Sequence, residues 1–74
     1  MNVYIRPRTS VNETTLQASA DTWRDVLSLL RTKGMARYSI FIEPHLRPEQ
    51  RGTVEITFPN ETAQQLIRML GYSA

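Results

Sequence analysis

The chain has 74 residues, nine of them basic and seven acidic, a formal net charge of +2 and no cysteine. Without cysteine it has neither disulfides nor thiolate metal sites, and so small a net charge does not make nucleic acid the default partner. No apolar run approaches the roughly 18 residues of a membrane span and the N-terminus lacks the apolar middle of a signal peptide, so we expect one cytoplasmic domain over residues 1–74 with no membrane partner.

Two short strands are expected at the start of the chain. Residues 1–6 alternate apolar and polar side chains before Pro7 removes a ladder donor, which predicts an opening strand that ends at or before Pro7. Residues 14–18 place Leu16 and Ala18 on one side and polar residues on the other. That pattern fits either a second short strand or a loop.

A helix follows these segments. Its apolar residues recur at i, i+3, i+4 and i+7, namely Trp23, Val26, Leu27 and Leu30. Such spacing forms one apolar stripe along a helix. Ser19 or Asp21 is suited to cap the helix start, and Gly34 is suited to the left-handed conformation that ends a helix.

Residues 35–58 predict a β-hairpin with an unusually long tip. Two runs, residues 36–42 and 54–58, carry apolar side chains at every second position, as strands with one buried face do. The connection between them, residues 44–52, exceeds the two to five residues usual in hairpin loops and contains two prolines that stiffen it. Its length suggests a binding element, although a mobile, solubilising turn would explain the same residues.

A second helix is predicted after Pro59. Asn60 is a good N-cap, and Gly71 supplies the C-terminal stop. The apolar stripe repeats the spacing of the first helix, with Ala63, Leu66, Ile67 and Leu70.

These elements predict an α+β fold, a small open-faced sandwich. The element order is β-(β)-α-β-β-α, and each helix and strand has one apolar side to bury. We therefore expect an antiparallel sheet of three or four strands, in spatial order 2-1-3-4, with two helices on one face. An exposed edge on the strand at residues 14–18 would be suited to pairing with a second copy in a homodimer.

The candidate partner-binding residues fall on two predicted surfaces. The helix-free face of the sheet should project Arg37 and Phe41, and the hairpin tip should project His45, Arg47 and Arg51. Eight of the nine basic residues are Arg, and aromatic and Arg residues dominate interface hot spots. A plain solvated sheet face is the alternative interpretation.

The sequence favours a non-enzymatic binding module. We expect a small regulator or inhibitor, of the type that phages and mobile elements encode, that docks on a larger protein or ribonucleoprotein. The first alternative is a nucleic-acid binder that uses Tyr4, Arg6, Arg8 and Arg37, with cations on phosphates and aromatics stacked on bases. The second is a small ribonuclease-like toxin using His45, the single histidine, but no catalytic motif, metal site or cofactor site is recognisable.

Overall fold

The computed structural model describes residues 6–70 as an antiparallel three-stranded sheet packed against helices, which confirms the α+β class. The strands are β1 (Arg6–Thr9), β2 (Glu13–Ser19) and β3 (Thr53–Pro59), the α-helices are α1 (Ala20–Thr32) and α2 (Asn60–Leu70), and two short 3-10 helices are η1 (Ala36–Phe41) and η2 (Glu43–His45). Apart from its last residue, the predicted opening strand at residues 1–6 lies outside the described residues, as does the predicted helix stop at Gly71. Strand β1 runs through Pro7 to Thr9, so the prediction that the opening strand ends at or before Pro7 is wrong. Proline is tolerated there because β1 is an edge strand of the described sheet.

Strand β2 lies between β1 and β3. Its pairing with β3 runs without interruption from Glu13 opposite Pro59 to Ser19 opposite Thr53. The strand predicted at residues 14–18 is therefore confirmed, but it is central and not an edge. The predicted order 2-1-3-4 needs correction for the same reason, because β3 takes β2 as its neighbour.

The strand predicted over residues 36–42 is wrong, because this stretch forms η1. The backbone amides of Tyr38 and Ile42 donate to the carbonyls three residues earlier, those of Met35 at 3.1 Å and Ser39 at 2.9 Å. The Ser39 hydroxyl also donates to the carbonyl three residues before it, at 2.6 Å. Such local bonds satisfy the backbone without a sheet partner. The predicted hairpin over residues 35–58 therefore does not form.

The burial of three residues explains this difference. Tyr38 and Ile42 are buried, with 7% and 0% of their surface exposed, whereas Ile40 is 66% exposed. Tyr38 and Ile42 would share one face of a strand, and both are also buried here in a chain that winds through 3-10 turns, so the outer pair does not distinguish the two conformations. Only the middle residue distinguishes the two, and its exposure fits the helical turn.

The core lies between the sheet and the helices, on one face of the sheet. Its buried members include Leu16, Ala18, Trp23, Val26, Leu30, Val54, Ile56, Phe58, Ala63 and Leu66. Trp23 donates its indole Nε1–H to the carbonyl oxygen of Val54 at 3.0 Å, which satisfies a buried donor. Both α-helices cover this one face, as their single apolar stripes predict.

Helix α1 has defined ends. The Ser19 hydroxyl accepts a hydrogen bond from the Thr22 amide at 3.1 Å, so Ser19 is the N-cap and not Asp21. At the other end Gly34 has a φ of 71°, the left-handed conformation that its sequence position predicts.

Helix α2 is tied at its start to the turn between β1 and β2. The Asn60 side chain accepts a hydrogen bond from the Thr14 hydroxyl at 2.7 Å and donates one to the Val11 carbonyl at 3.1 Å. The helix therefore begins at a fixed place beside the sheet. Neither α1 nor α2, nor any other helix within residues 6–70, is long and apolar enough to cross a membrane.

Candidate binding surface

The predicted hairpin tip, residues 44–52, is fastened to helix α1 by Arg24. Its Nη2 donates to the carbonyl oxygen of Gln50 at 2.9 Å and to that of Arg47 at 3.3 Å. Its Nη1 lies 3.1 Å from a carboxylate oxygen of Asp21, one turn earlier on the same helix. One guanidinium therefore joins the start of α1 to two points on the loop.

The loop is also held by its own backbone and by the core. The Gln50 amide donates to the Arg47 carbonyl at 2.9 Å, which closes a turn, and the Ala20 amide donates to the Gly52 carbonyl at 2.8 Å. Leu46 is half-buried and packs against the core. The loop therefore has a defined course along its length.

Arg47 and Arg51 are exposed residues on this fixed backbone, and neither forms an ion pair with any residue in 7–70. His45, at the end of η2, is exposed as well, and so is Glu49 between the two arginines. Guanidinium groups with free donors bind carboxylates and phosphates in a planar, bidentate geometry. The loop thus presents two such groups with one carboxylate between them.

A small cleft of about 80 Å³ separates the loop from the start of α1. It is lined by Ser19, Ala20, Asp21, Gln50, Arg51 and Gly52. Its volume accommodates little more than a few water molecules. The cleft is therefore too small for a side chain or ligand of ordinary size, and the accessible part of the loop is its outer surface.

Arg37 lies on η1 and not on the face of the sheet where the sequence placed it. Its guanidinium carbon lies 4.9 Å from the centre of the Tyr38 ring, and its Nη2 donates to the Tyr38 hydroxyl at 3.2 Å. That hydroxyl in turn donates to the side-chain carbonyl of Gln65 on α2. Arg37 thus takes part in a contact that joins η1 to α2.

Phe41 does not project from the helix-free face of the sheet, so that placement is wrong. It lies on η1, is half-buried, and its ring centre is 5.7 Å from that of Phe58 in the core. Placing this residue in a helical turn instead of a strand directs its ring to the core side. Its main contact is therefore structural.

The helix-free face of the sheet is polar. Arg8 Nη2 lies 3.6 Å from a carboxylate oxygen of Glu55, and the hydroxyls of Thr15 and Thr57 are 2.9 Å apart in a hydrogen bond. A shallow depression of about 230 Å³ is lined by Pro7, Arg8, Thr15, Gln17 and Glu55. Arg8, which the nucleic-acid hypothesis assigns to phosphate binding, thus lies beside the carboxylate of Glu55.

Two residues of the nucleic-acid hypothesis lie partly or wholly outside this description. Tyr4 is not among the described residues, and Arg6 is described only as the first backbone position of β1, opposite Gln17. Among residues 7–70 the aromatic side chains are Trp23, Tyr38, Phe41 and Phe58, each buried or half-buried. No group of three or more metal-ligating side chains occurs within the described residues.

Sequence reasoning missed Arg24, which organises the loop. An exposed position on an amphipathic helix predicts a solvated cation, and its loop partners are 23 and 26 residues away in the chain. No sequence signal marks contacts with backbone carbonyls. No family model matches the chain, and neither a curated protein nor a solved structure shows significant similarity to it.

Proposed function

We propose that this protein is a non-enzymatic binding module of the cytoplasm, a small regulator or inhibitor that docks on a larger protein or ribonucleoprotein. Arg47 and Arg51 are its anchor residues, and His45 lies beside them. The observation that supports the proposal is the attachment of residues 44–52 to α1 by Arg24. A loop with that attachment presents its exposed arginines from a backbone that is already ordered.

Order in the free loop favours binding, because fixing a mobile loop on association costs conformational entropy. The hydrogen bonds of Arg24 and the turn closed by the Gln50 amide hold the backbone before any partner arrives. Only the two arginine side chains then need to be ordered. Their bidentate donors suit carboxylates on the surface of the partner protein.

A protein surface suits the loop better than a nucleic-acid strand does. Glu49 stands between the two arginines and would repel a run of phosphates, whereas it can meet a cation on a protein partner. Base stacking needs exposed aromatic rings, and those within residues 7–70 are buried or half-buried. Arg8, a predicted phosphate ligand, is beside Glu55.

The test uses the double variant Arg47→Ala, Arg51→Ala. Its matched control is Lys33→Ala, Arg68→Ala, which removes the same charge from two exposed residues elsewhere. Each chain is used as bait in a lysate of the source organism, once with and once without nuclease treatment so that a ribonucleoprotein partner stays intact in one arm, and retained proteins are quantified. Loss of an anchor arginine costs about 2 kcal/mol, or about 30-fold in Kd, so the loop variant should lose a protein that wild type and control both retain.

Either of two results overturns the proposal. One is that the folded loop variant retains the same proteins as wild type in equal amounts. The other is that wild type retains no protein above the level of a bait without the chain. A parallel titration of wild type with a 20-nucleotide single-stranded RNA, at salt from roughly 50 to 200 mM, distinguishes the nucleic-acid alternative, because phosphate binding weakens steeply in that range.

A further inference from the structure

The outer edge of β3 is a second candidate binding surface, because backbone groups there have no partner strand among the described residues. In an antiparallel pair, the backbone groups of successive residues point alternately towards the partner strand and away from it. The two bonds that flank the β2–β3 ladder join Ala20 to Gly52, at 2.8 Å, and Asn60 to Asn12, at 3.3 Å. All four are even-numbered residues in the register of this ladder. The even-numbered residues of β3 therefore bond to β2, and the odd-numbered ones face outward.

The outward groups are the N–H and C=O of Thr53, Glu55 and Thr57, together with the carbonyl of Pro59. The ladder with β2 uses the even-numbered residues, and no loop, turn or cap in the described part of the chain forms a backbone hydrogen bond with these outward groups. They form a row of regularly spaced donors and acceptors along a seven-residue strand. Such a row is a template for another strand.

The opposite edge of the sheet, at β1, has the features that prevent strand addition. It contains Pro7, which interrupts the row of donors, and Arg8, which adds a charge. Strand β3 has no bulge in its register and consists largely of β-branched and aromatic residues. Pro59 stands only at its end, and its single charged residue is Glu55. The residues that discourage the addition of another strand therefore lie mainly at the β1 edge and not at the β3 edge.

We propose that the edge of β3 pairs antiparallel with β3 of a second copy of this chain, so that two three-stranded sheets form one six-stranded sheet. The two-fold axis passes between the two Ile56 residues. In that register Glu55 lies opposite Thr57 of the second copy, and the odd-numbered residues form the hydrogen-bonded pairs. Of the two neighbouring registers, one places Glu55 opposite Glu55, where like charges repel. The other places Thr57 opposite Thr57 and Glu55 opposite Pro59, which has no N–H to complete the pair.

Helical segment η1 lies beside the same strand and has an exposed apolar side chain. It contacts β3 through Phe41 and Phe58, and its Ile40 is 66% exposed. This interface does not involve Arg47 or Arg51, so it is independent of the proposed partner-binding loop.

The first test blocks the edge without disturbing the β2 ladder. Thr57→Pro removes an N–H that faces outward and places a ring in the path of an added strand. Thr57→Val is the control, because it removes the hydroxyl that bonds to Thr15 but keeps the backbone donor. In sedimentation equilibrium over a concentration series, wild type and Thr57→Val should reach twice the 8.5 kDa chain mass, and Thr57→Pro should weaken dimerisation about tenfold or more.

The second test determines which residues of the two copies lie opposite each other. It also tests the dimer independently if Thr57→Pro does not fold. The chain has no cysteine, so introduced ones have no competitors. Under mild oxidation Glu55→Cys, Thr57→Cys should form covalent dimers, since directly opposite residues lie within disulfide distance. Neither Glu55→Cys alone nor Thr57→Cys alone should do so. A monomeric wild type at every concentration, an unchanged dimer in folded Thr57→Pro, or cross-linking by either single variant would overturn the proposal.

Discussion

Replacing Arg24 by Ala tests whether this residue holds the loop. The change removes charge-assisted hydrogen bonds to the carbonyls of Gln50 and Arg47, at 2.9 and 3.3 Å. A bond to a charged group contributes roughly 1.5–3 kcal/mol when its partners are kept from water. Because the Arg24 side chain is 35% exposed and water replaces it at the carbonyls, we expect a loss of about 1–2 kcal/mol of unfolding free energy.

The control is Arg31→Ala, on the same helix. Its guanidinium forms one long contact, 3.4 Å to Glu43, and the two side chains are 65% and 51% exposed, so its loss should cost no more than about 0.5 kcal/mol. Urea unfolding followed by circular dichroism measures both values. Hydrogen exchange of the Gln50 amide, which closes the loop turn, should accelerate in Arg24→Ala and not in Arg31→Ala. Equal stabilities of the two variants, with unchanged exchange at Gln50, would refute the assigned role.

Two further substitutions test the core by urea unfolding. Ile42→Ala should lower the free energy of unfolding by about 3 kcal/mol because the residue is fully buried. Ile40→Ala, at a position that is 66% exposed, should change it by less than about 0.5 kcal/mol. Equal losses in the two variants would indicate the strand that the sequence predicts for this stretch. Trp23→Phe keeps a ring against the core but loses the 3.0 Å hydrogen bond to the Val54 carbonyl. We expect the free energy of unfolding to fall by about 2 kcal/mol, visible as a shifted urea midpoint. A decrease below about 0.5 kcal/mol would show that this bond contributes little.

The sequence identified the elements whose periodicity extends over several turns or whose ends are marked. Helix α1 has its stripe and both of its end signals, Ser19 and Gly34, and all of them are found in the structure. Strand β3 shows its alternation in full, with residues exposed and buried in turn. In both elements the apolar periodicity agrees with the side that is buried in the structure.

The stretch at residues 36–42 has an alternation as long as that of β3, seven residues, and still does not form a strand. Its alternation fits a strand, and in the structure Tyr38 and Ile42 are buried from 3-10 turns, so the burial of these two residues does not discriminate between the two conformations. Local bonding decided the outcome, because the Ser39 hydroxyl and the η1 amides find acceptors within the segment itself. Once this segment is helical, β3 has no hairpin partner and pairs with β2.

That pairing also explains why the loop is anchored where a hairpin tip would have been free. Because Ser19 lies opposite Thr53, the chain between β2 and β3 leaves and re-enters the sheet at the same end. The last loop residues therefore return beside the first turn of α1, within reach of Arg24. In a hairpin over residues 35–58 the same loop would stand a full strand length from its base. The apolar pattern of the sequence permits both arrangements. The contact found only in the observed one is polar, between Arg24 and the loop carbonyls, and the sequence position of Arg24 predicts a solvent-exposed side chain.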